Sequence, residues 1–335
     1  MSLQHDEFLN LCKKAEHIFL TAPAGADGDS VGTQSAFYEI FKKLFPQKSI
    51  SVVNEDPCPQ RYLFMPFAET FQTSAELEKS WKKGSTKDLW ICVDGGPNRL
   101  GEKTTSFWNQ ASFRAQVDHH RVSQEFKLDA KLNNSNAAST TEIVYDFCTH
   151  HKISLTPTLA QNIYVGLIYD TGLFKHSNTT PKVMRIGADL LEFGFNHTQT
   201  AEKVLFIRNA ANLKLAQKLL SSMQMLSENR YVWAKITQKD FLEAQAKLED
   251  REGLIDLLFL TDKCEIAALF SEVEKNVWKI SLRARRLDVA QLAKSLDPNG
   301  GGHRLAAGCS LTGDEKKLML CHERALEIIQ KGEYI

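Results

Sequence analysis

Short apolar runs alternate with amphipathic stretches from the start of the chain to about residue 200. Ile18-Phe19-Leu20 reads as a strand and is followed by a helix from about Ser30 to Phe45. Ile50–Val53, Leu89–Val93 and Ala115–Val117 read as further strands. Ser139 can N-cap a helix carrying Ile143, Val144 and Phe147, with Glu142 completing a capping box, and another helix is expected over Thr158–Ile168. Strands that alternate with helices predict a mostly parallel sheet, and such sheets place ligands at their carboxyl edge. Asp27, Asp94 and Asp118 each follow a predicted strand, so they are expected to gather there.

The stretch from Pro181 to Ser227 reads as mainly helical, and the pattern restarts at Tyr231. Strands are expected at Tyr231–Ile236, Ile266–Phe270 and Trp278–Leu282, and helices at Lys239–Leu248 and Val289–Ser295. A glycine-rich loop and a closing helix over Asp314–Gln330 follow. This predicts an α/β chain of two domains: 1–205, a helical linker 206–229, and a smaller α/β domain 230–335. A length of 335 residues suits two cores better than one.

Charge and cysteine usage narrow the chemistry. Forty-one basic and 41 acidic residues cancel, which argues against a broad electrostatic grip on long duplex nucleic acid. A short or mononucleotide ligand held by a few local cations fits better. No apolar run approaches the ~18 residues of a membrane span, and the start has no signal-like pattern. Seven scattered cysteines form no CxxC pair, as expected of a cytoplasmic protein without disulfides.

The candidate chemistry lies in an ordered set of polar residues. Asp27-Gly28-Asp29 stands just ahead of a helix; it is either an ordinary N-capping turn or a pair of carboxylates facing one space. Asp94 ends an apolar strand before Gly95-Gly96-Pro97, where an Asx turn is the plain alternative. Asp118-His119-His120 at a strand end carries a desolvation cost unless the imidazoles ligate or hydrogen-bond something. Asp170-Thr171-Gly172 follows an apolar helix. Four carboxylate positions and an imidazole suit two adjacent divalent cations, which polarise a phosphoryl group and activate water. Downstream, Gly300-Gly301-Gly302-His303-Arg304 allows close backbone approach to an anion, and Arg283, Arg285 and Arg286 are either a solvated face or a phosphate clamp.

This ordered set resembles the DHH phosphoesterase superfamily with a C-terminal DHHA1 domain, above all its stand-alone oligoribonuclease and phosphoadenosine-phosphate phosphatase subgroup. Asn54-Glu55-Asp56, Ser139-Thr140-Thr141-Glu142, Phe174 through Thr180, and Ser281-Leu282-Arg283 look like the family's connecting motifs, so the resemblance spans nearly the whole chain. It implies an active site in the interdomain cleft. Asp94 would bridge two cations, Mn²⁺ or else Mg²⁺. Asp29, His119 and Asp170 would complete one site, Asp27 would serve the other, and His120 would contact the scissile phosphate. Arg283, Gly301, Gly302, His303 and Arg304 would bind the substrate's phosphate. The reaction implied is two-metal hydroxide attack on short oligoribonucleotides or on the 3′-phosphate of phosphoadenosine phosphate. A homodimer through the first domain is compatible with the resemblance.

One position departs from the family pattern. Pro23 stands where a metal-ligating histidine is expected, four residues before Asp27, so the cation shared by Asp27 and Asp94 loses an imidazole. His176 is a conceivable substitute. Two alternatives follow: a cyclic-dinucleotide phosphodiesterase of the c-di-AMP type, and a nucleotide-binding protein with impaired catalysis. A family II-type pyrophosphatase shares the metal motifs, but the glycine-rich second domain argues against it.

Overall fold

The computed structural model describes residues 2–81, 87–120 and 125–332. The chain divides into two compact units, Met1–Ile207 and Arg208–Ile335.

The first unit is built on six parallel strands: β1 (His17–Thr21), β2 (Ser49–Asn54), β3 (Phe71–Thr73), β4 (Asp88–Val93), β5 (Phe113–Asp118) and β6 (Ala130–Asn133). Their order across the sheet is β3-β2-β1-β4-β5-β6. All five pairings are parallel. Leu89 to Val93 of β4 are fully or almost fully buried, as a strand covered on both faces requires. The order reverses between β1 and β4, so the chain leaves these two neighbours in opposite directions and opens a crevice at their carboxyl ends. Asp27 follows β1 and Asp94 follows β4 directly.

The helices Gly28–Leu44 and Thr140–His150 pack on the sheet and on each other, and Pro157–Thr171 packs on both of them. Twelve residues of the first are buried, from Gly28 through Phe37 with Ile40 and Phe41. Its close approach to Pro157–Thr171 depends on Gly166. A Cβ there would stand 2.3 Å from Asp29 Oδ1 and 2.5 Å from the Thr141 side chain. Ser139 caps Thr140–His150 by accepting the Glu142 N–H. The expected capping box closes differently, because the Glu142 carboxylate accepts the Ala138 N–H at 2.7 Å rather than that of Ser139. Asp170 lies inside the last turn of Pro157–Thr171, not after it. The N-terminal helix Ser2–Lys14 and the short elements β3 and β6 were not legible in the sequence pattern.

The second unit has a mixed sheet of β7 (Gln224–Leu226), β8 (Tyr231–Ile236), β9 (Ile266–Glu274), β10 (Val277–Ala284), β11 (Gly301–His303) and β12 (Ala306–Thr312), in the order β11-β12-β10-β9-β8-β7. Only β8 and β9 run parallel. The segment expected as a helical linker is part of this unit. Its helix Ala210–Ser222 buries Leu215 and Leu219 against Val232, Ala234 and Leu258, and β7 extends the sheet where helix was expected. The glycine-rich stretch is a tight hairpin rather than a loop, with Gly301, Gly302 and His303 paired to Gly308, Ala307 and Ala306.

Gly166→Val is expected to destabilise the first unit by about 1–3 kcal/mol, the usual cost of overpacking. Thermal unfolding read by circular dichroism checks this; an unchanged Tm would show that the helices have slack to separate.

Candidate metal centre

The carboxyl edge of the first sheet gathers groups that sequence separates widely. Asp29, fully buried, accepts the Thr140 N–H at 2.5 Å and the Thr141 N–H at 3.0 Å. It thus sits at the positive end of the helix Thr140–His150, where a carboxylate is favoured. Asp94 accepts the Ser30 hydroxyl at 2.6 Å and the Thr140 hydroxyl at 3.1 Å. Its backbone is left-handed, φ 59°, so the turn after β4 holds a non-glycine residue in a costly conformation to aim this side chain. Asp27 Oδ1 caps the helix Gly28–Leu44 by accepting the Asp29 and Ser30 N–H groups at 3.0 and 3.1 Å. The capping turn and the clustered carboxylate are therefore both true of Asp27.

His119 faces this cluster. Its Nε2 lies 3.2 Å from Asp170 Oδ2, 3.7 Å from Asp94 Oδ1 and 4.0 Å from Asp29 Oδ2. Its Nδ1 is 3.3 Å from the Ala137 carbonyl oxygen, which only a protonated Nδ1 can satisfy, so Nε2 is the ring atom that faces the carboxylates. His120 is held differently: Nδ1 donates to Asp118 Oδ1 at 2.7 Å, and the same oxygen accepts the His120 N–H at 3.0 Å. Asp118 is fixed in turn by Gln116, which bridges it to the Gly95 carbonyl. Asp118 therefore orients His120, a positioning role that the spacing of the motif did not show.

The electrostatics ask for a cation. Burial, followed by the charges of Asp29, Asp27 and Asp170, pushes the Asp94 carboxyl well above its ordinary range. Asp170 is raised by burial and then by Asp29 and Asp27. Asp27 is raised by burial and then by Asp29. Among the described residues no lysine or arginine pairs with Asp29, Asp94 or Asp170, and Asp170 Oδ2 is buried without a hydrogen-bond donor. Asp29, His119 and Asp170 place one ligand atom each within 4.8 Å of one another, and so do Asp94, His119 and His120. An oxygen-rich set with one imidazole suits a hard divalent ion. In the second set the His120 atom that faces Asp94 is the Nδ1 already bonded to Asp118, so His120 does not complete that site.

The comparisons with known proteins agree with this reading. The model of the DHH family N-terminal domain matches residues 17–167. The chain carries a DHH-family N-terminal domain. A DHHA1 domain model matches residues 241–331. The bifunctional oligoribonuclease and PAP phosphatase NrnA of Thermus thermophilus is 27% identical over 316 residues, which cover 94% of this chain and 89% of that protein. The Bacillus subtilis protein of the same name is 23% identical, over 91% of this chain and 92% of its own. An exopolyphosphatase-related protein from Bacteroides fragilis has the same fold, with a TM-score of 0.86 at 20% identity over 98% of this chain and 96% of its own.

In this DHH domain Pro23 is buried and packs on Gly95, where a Cβ would meet its Cγ at 2.7 Å. A ring carbon thus packs on the residue after Asp94, at the position where an imidazole was expected. His176 does not replace it: its Nδ1 donates to the Asp170 carbonyl at 2.9 Å and its ring covers Gly172.

In the DHHA1 domain Arg283, Gly301 and His303, three of the five sequence-predicted phosphate residues, share one face of the sheet, while Gly302 pairs with Ala307 on the core side and Arg304 follows the end of β11. Ser281, Gly308 and Gly301 form one row across β10, β12 and β11, and Arg283, Ala306 and His303 form the next row on the same face. The opposite face carries the buried Ile280, Leu282 and Ala307. Gly302 has φ 139° and a Cβ there would meet Ala306 O at 2.6 Å; at Gly301 nothing lies within 4 Å, so its glycine leaves open floor. Arg304 donates to the Arg286 carbonyl at 2.8 Å and Arg283 lies 3.6 Å from Asp256. Arg285 is structural, not part of a clamp: it donates to the carbonyls of Cys264, Phe259 and Thr261 and stacks on Phe259. Arg251, half-buried and donating to Ser281 at 3.3 Å, is a cation at this face that no motif announced.

Carboxyls raised in the folded state stabilise it while protonated, and that stability is lost as pH rises through their folded pKa values. The metal-stripped protein is therefore expected to lose Tm as pH climbs from about 4 towards neutrality, while added divalent cation restores it by an amount that grows with pH. Differential scanning calorimetry with and without chelator checks this; a pH-independent gap between the two would refute it.

Proposed function

We propose that the protein is a divalent-cation-dependent phosphoesterase that hydrolyses short oligoribonucleotides or the 3′-phosphate of phosphoadenosine phosphate. The observation that supports it most is the convergence of buried Asp29 and Asp94 and half-buried Asp170 on His119 Nε2, with no compensating lysine or arginine among the described residues. Asp29, Asp94, His119 and Asp170 would hold one cation, and Asp27 with Asp94 a second; Mn²⁺ fits this oxygen-and-imidazole set, with Mg²⁺ the other choice. When bound, such cations polarise the phosphoryl group and make water nucleophilic at neutral pH. His120, oriented by Asp118, would contact the scissile phosphate and can pass a proton to the departing oxygen. On the second sheet Arg283, His303 and Arg304 would hold a terminal phosphate over the floor that Gly301 leaves open. A grip on one end of the substrate favours short chains, because a longer one has nowhere to put the phosphate that the site requires.

Pro23 favours a second reading, a nucleotide-binding protein with impaired turnover. Asp27 commits one oxygen to its helix cap, and with proline four residues earlier its cation has two carboxylates and no imidazole. A cyclic-dinucleotide phosphodiesterase would use the same cations, and no described residue favours it over a linear substrate.

Turnover of a 5′-phosphorylated diribonucleotide and of phosphoadenosine phosphate is expected with Mn²⁺ and is expected to vanish in Asp94→Ala. No turnover by the folded wild-type chain on these or on cyclic dinucleotides, with nucleotide binding intact, would establish the second reading. Gly301→Val adds bulk to the open floor without a clash. It is expected to raise KM about 10-fold or more with Tm unchanged, as steady-state kinetics would show.

A further inference from the structure

A second group of ligand-type side chains lies away from the catalytic carboxylates. Asp6, on the N-terminal helix Ser2–Lys14, and His150 and His151, at the end of the helix Thr140–His150, place one ligand atom each within 4.8 Å of one another. His150 Nε2 is 3.1 Å from Asp6 Oδ1. The rings of His150 and His151 are 4.7 Å apart, and that of His5 is 5.0 Å from His150. His5 is 4% exposed and its Nδ1 is buried without a hydrogen-bond partner. Thr140, at the other end of the same helix, bonds Asp29 and Asp94. Eleven helical residues put about 15 Å between that end and the histidines, so this group shares no ligand with the metal centre described above.

We infer that Asp6, His150 and His151 form a zinc site that ties the N-terminal helix to the end of the helix Thr140–His150, with the buried ring of His5 behind it. Two imidazoles and a carboxylate are a zinc-type donor set, richer in nitrogen than the catalytic cluster. Ligands about 2.0–2.1 Å from a tetrahedral zinc are about 3.3 Å from each other, close to the Asp6–His150 separation. His150 is the last helical residue and His151 the cap, so the ion would sit at the negative end of the helix dipole, which favours a cation. His151 Nε2 lies 3.2 Å from the His5 carbonyl, which needs a proton on that nitrogen and leaves Nδ1 as the donor to metal. Packing on Phe147, 4.6 Å from the His151 ring, accounts for the rings being together. It does not account for the carboxylate that meets His150 at the same place. Asp6 and His150 are solvent-exposed, so an ion can enter and a water can take the fourth position.

The test is equilibrium dialysis of the metal-stripped full-length chain against Zn²⁺, beside His150→Gln/His151→Gln and Asp6→Asn. The wild type is expected to hold one zinc per chain more than the double variant. Asp6→Asn is expected to weaken that zinc about 10-fold or more, since even outer-shell changes cost that much. Mn²⁺-dependent turnover serves as a readout of the separate centre and is expected to stay unchanged in both variants. Equal zinc counts in the wild type and a folded double variant overturn the site. If the double variant does not fold, Asp6→Asn decides, and zinc affinity equal to the wild type overturns it.

Discussion

The first unit is organised around the burial of like charges. Asp29 and Asp94 are drawn out of water with Asp170 half-buried beside them, and a buried carboxylate without a counter-charge is costly. The fold supplies part of the compensation from its own backbone. Two N–H groups at the start of Thr140–His150 reach Asp29, and two hydroxyls reach Asp94. These donors exist only because three helices meet at the carboxyl edge of β1 and β4, and that meeting depends on glycine where Asp29 lies against Gly166. Backbone donors do not neutralise charge, so the remaining imbalance is what a divalent ion relieves. A divalent ion at this cluster would thus be coupled to the helix packing, not added to a finished scaffold.

Under the proposed assignment the second unit meets a different demand. A phosphate would have to be approached by donors without being crowded, which calls for small residues and a few fixed cations. One face of the sheet is committed to core by Ile280, Leu282, Ala307 and Cys309. The alternating residues on the other face, Ser281, Ala306, Gly308 and Gly301, are small. Glycine weakens a strand, and at Gly301, where a Cβ would fit, nothing within the fold calls for it. At Gly300 and Gly302 backbone crowding already demands glycine.

Much of this was legible in the sequence where the signal is local. Hydrophobic runs marked β1, β4, β5 and β8, and the ordered aspartates and histidines marked the site. What the sequence hid was non-local or masked by composition. Nothing in Thr140 or Thr141 announces that they cap a carboxylate 111 and 112 residues away. The hairpin at Gly301–His303 reads as loop because glycine is a poor strand former, yet its pairing supplies the two rows that align Arg283 with His303. Arg283, Arg285 and Arg286 read as one basic cluster, but strand geometry splits them. Arg283 stays on the sheet face while Arg285, beyond the end of β10, turns to carbonyls of the segment Phe259–Cys264.

The same reasoning bears on Pro23. Under the proposed assignment the two cation positions are unequal. One draws on Asp29, Asp94, Asp170 and the lone pair of His119, all held by their own hydrogen bonds or by burial. The other has Asp94, already shared, and Asp27, one of whose oxygens is committed to the start of Gly28–Leu44. Proline against Gly95 adds no donor and, being rigid, leaves no room to recruit one by a small shift. A cation at the second position therefore has to draw ligands from water or from the substrate's own phosphate. That makes its affinity depend on whether substrate is bound, and it makes the first position the one that stabilises the empty protein.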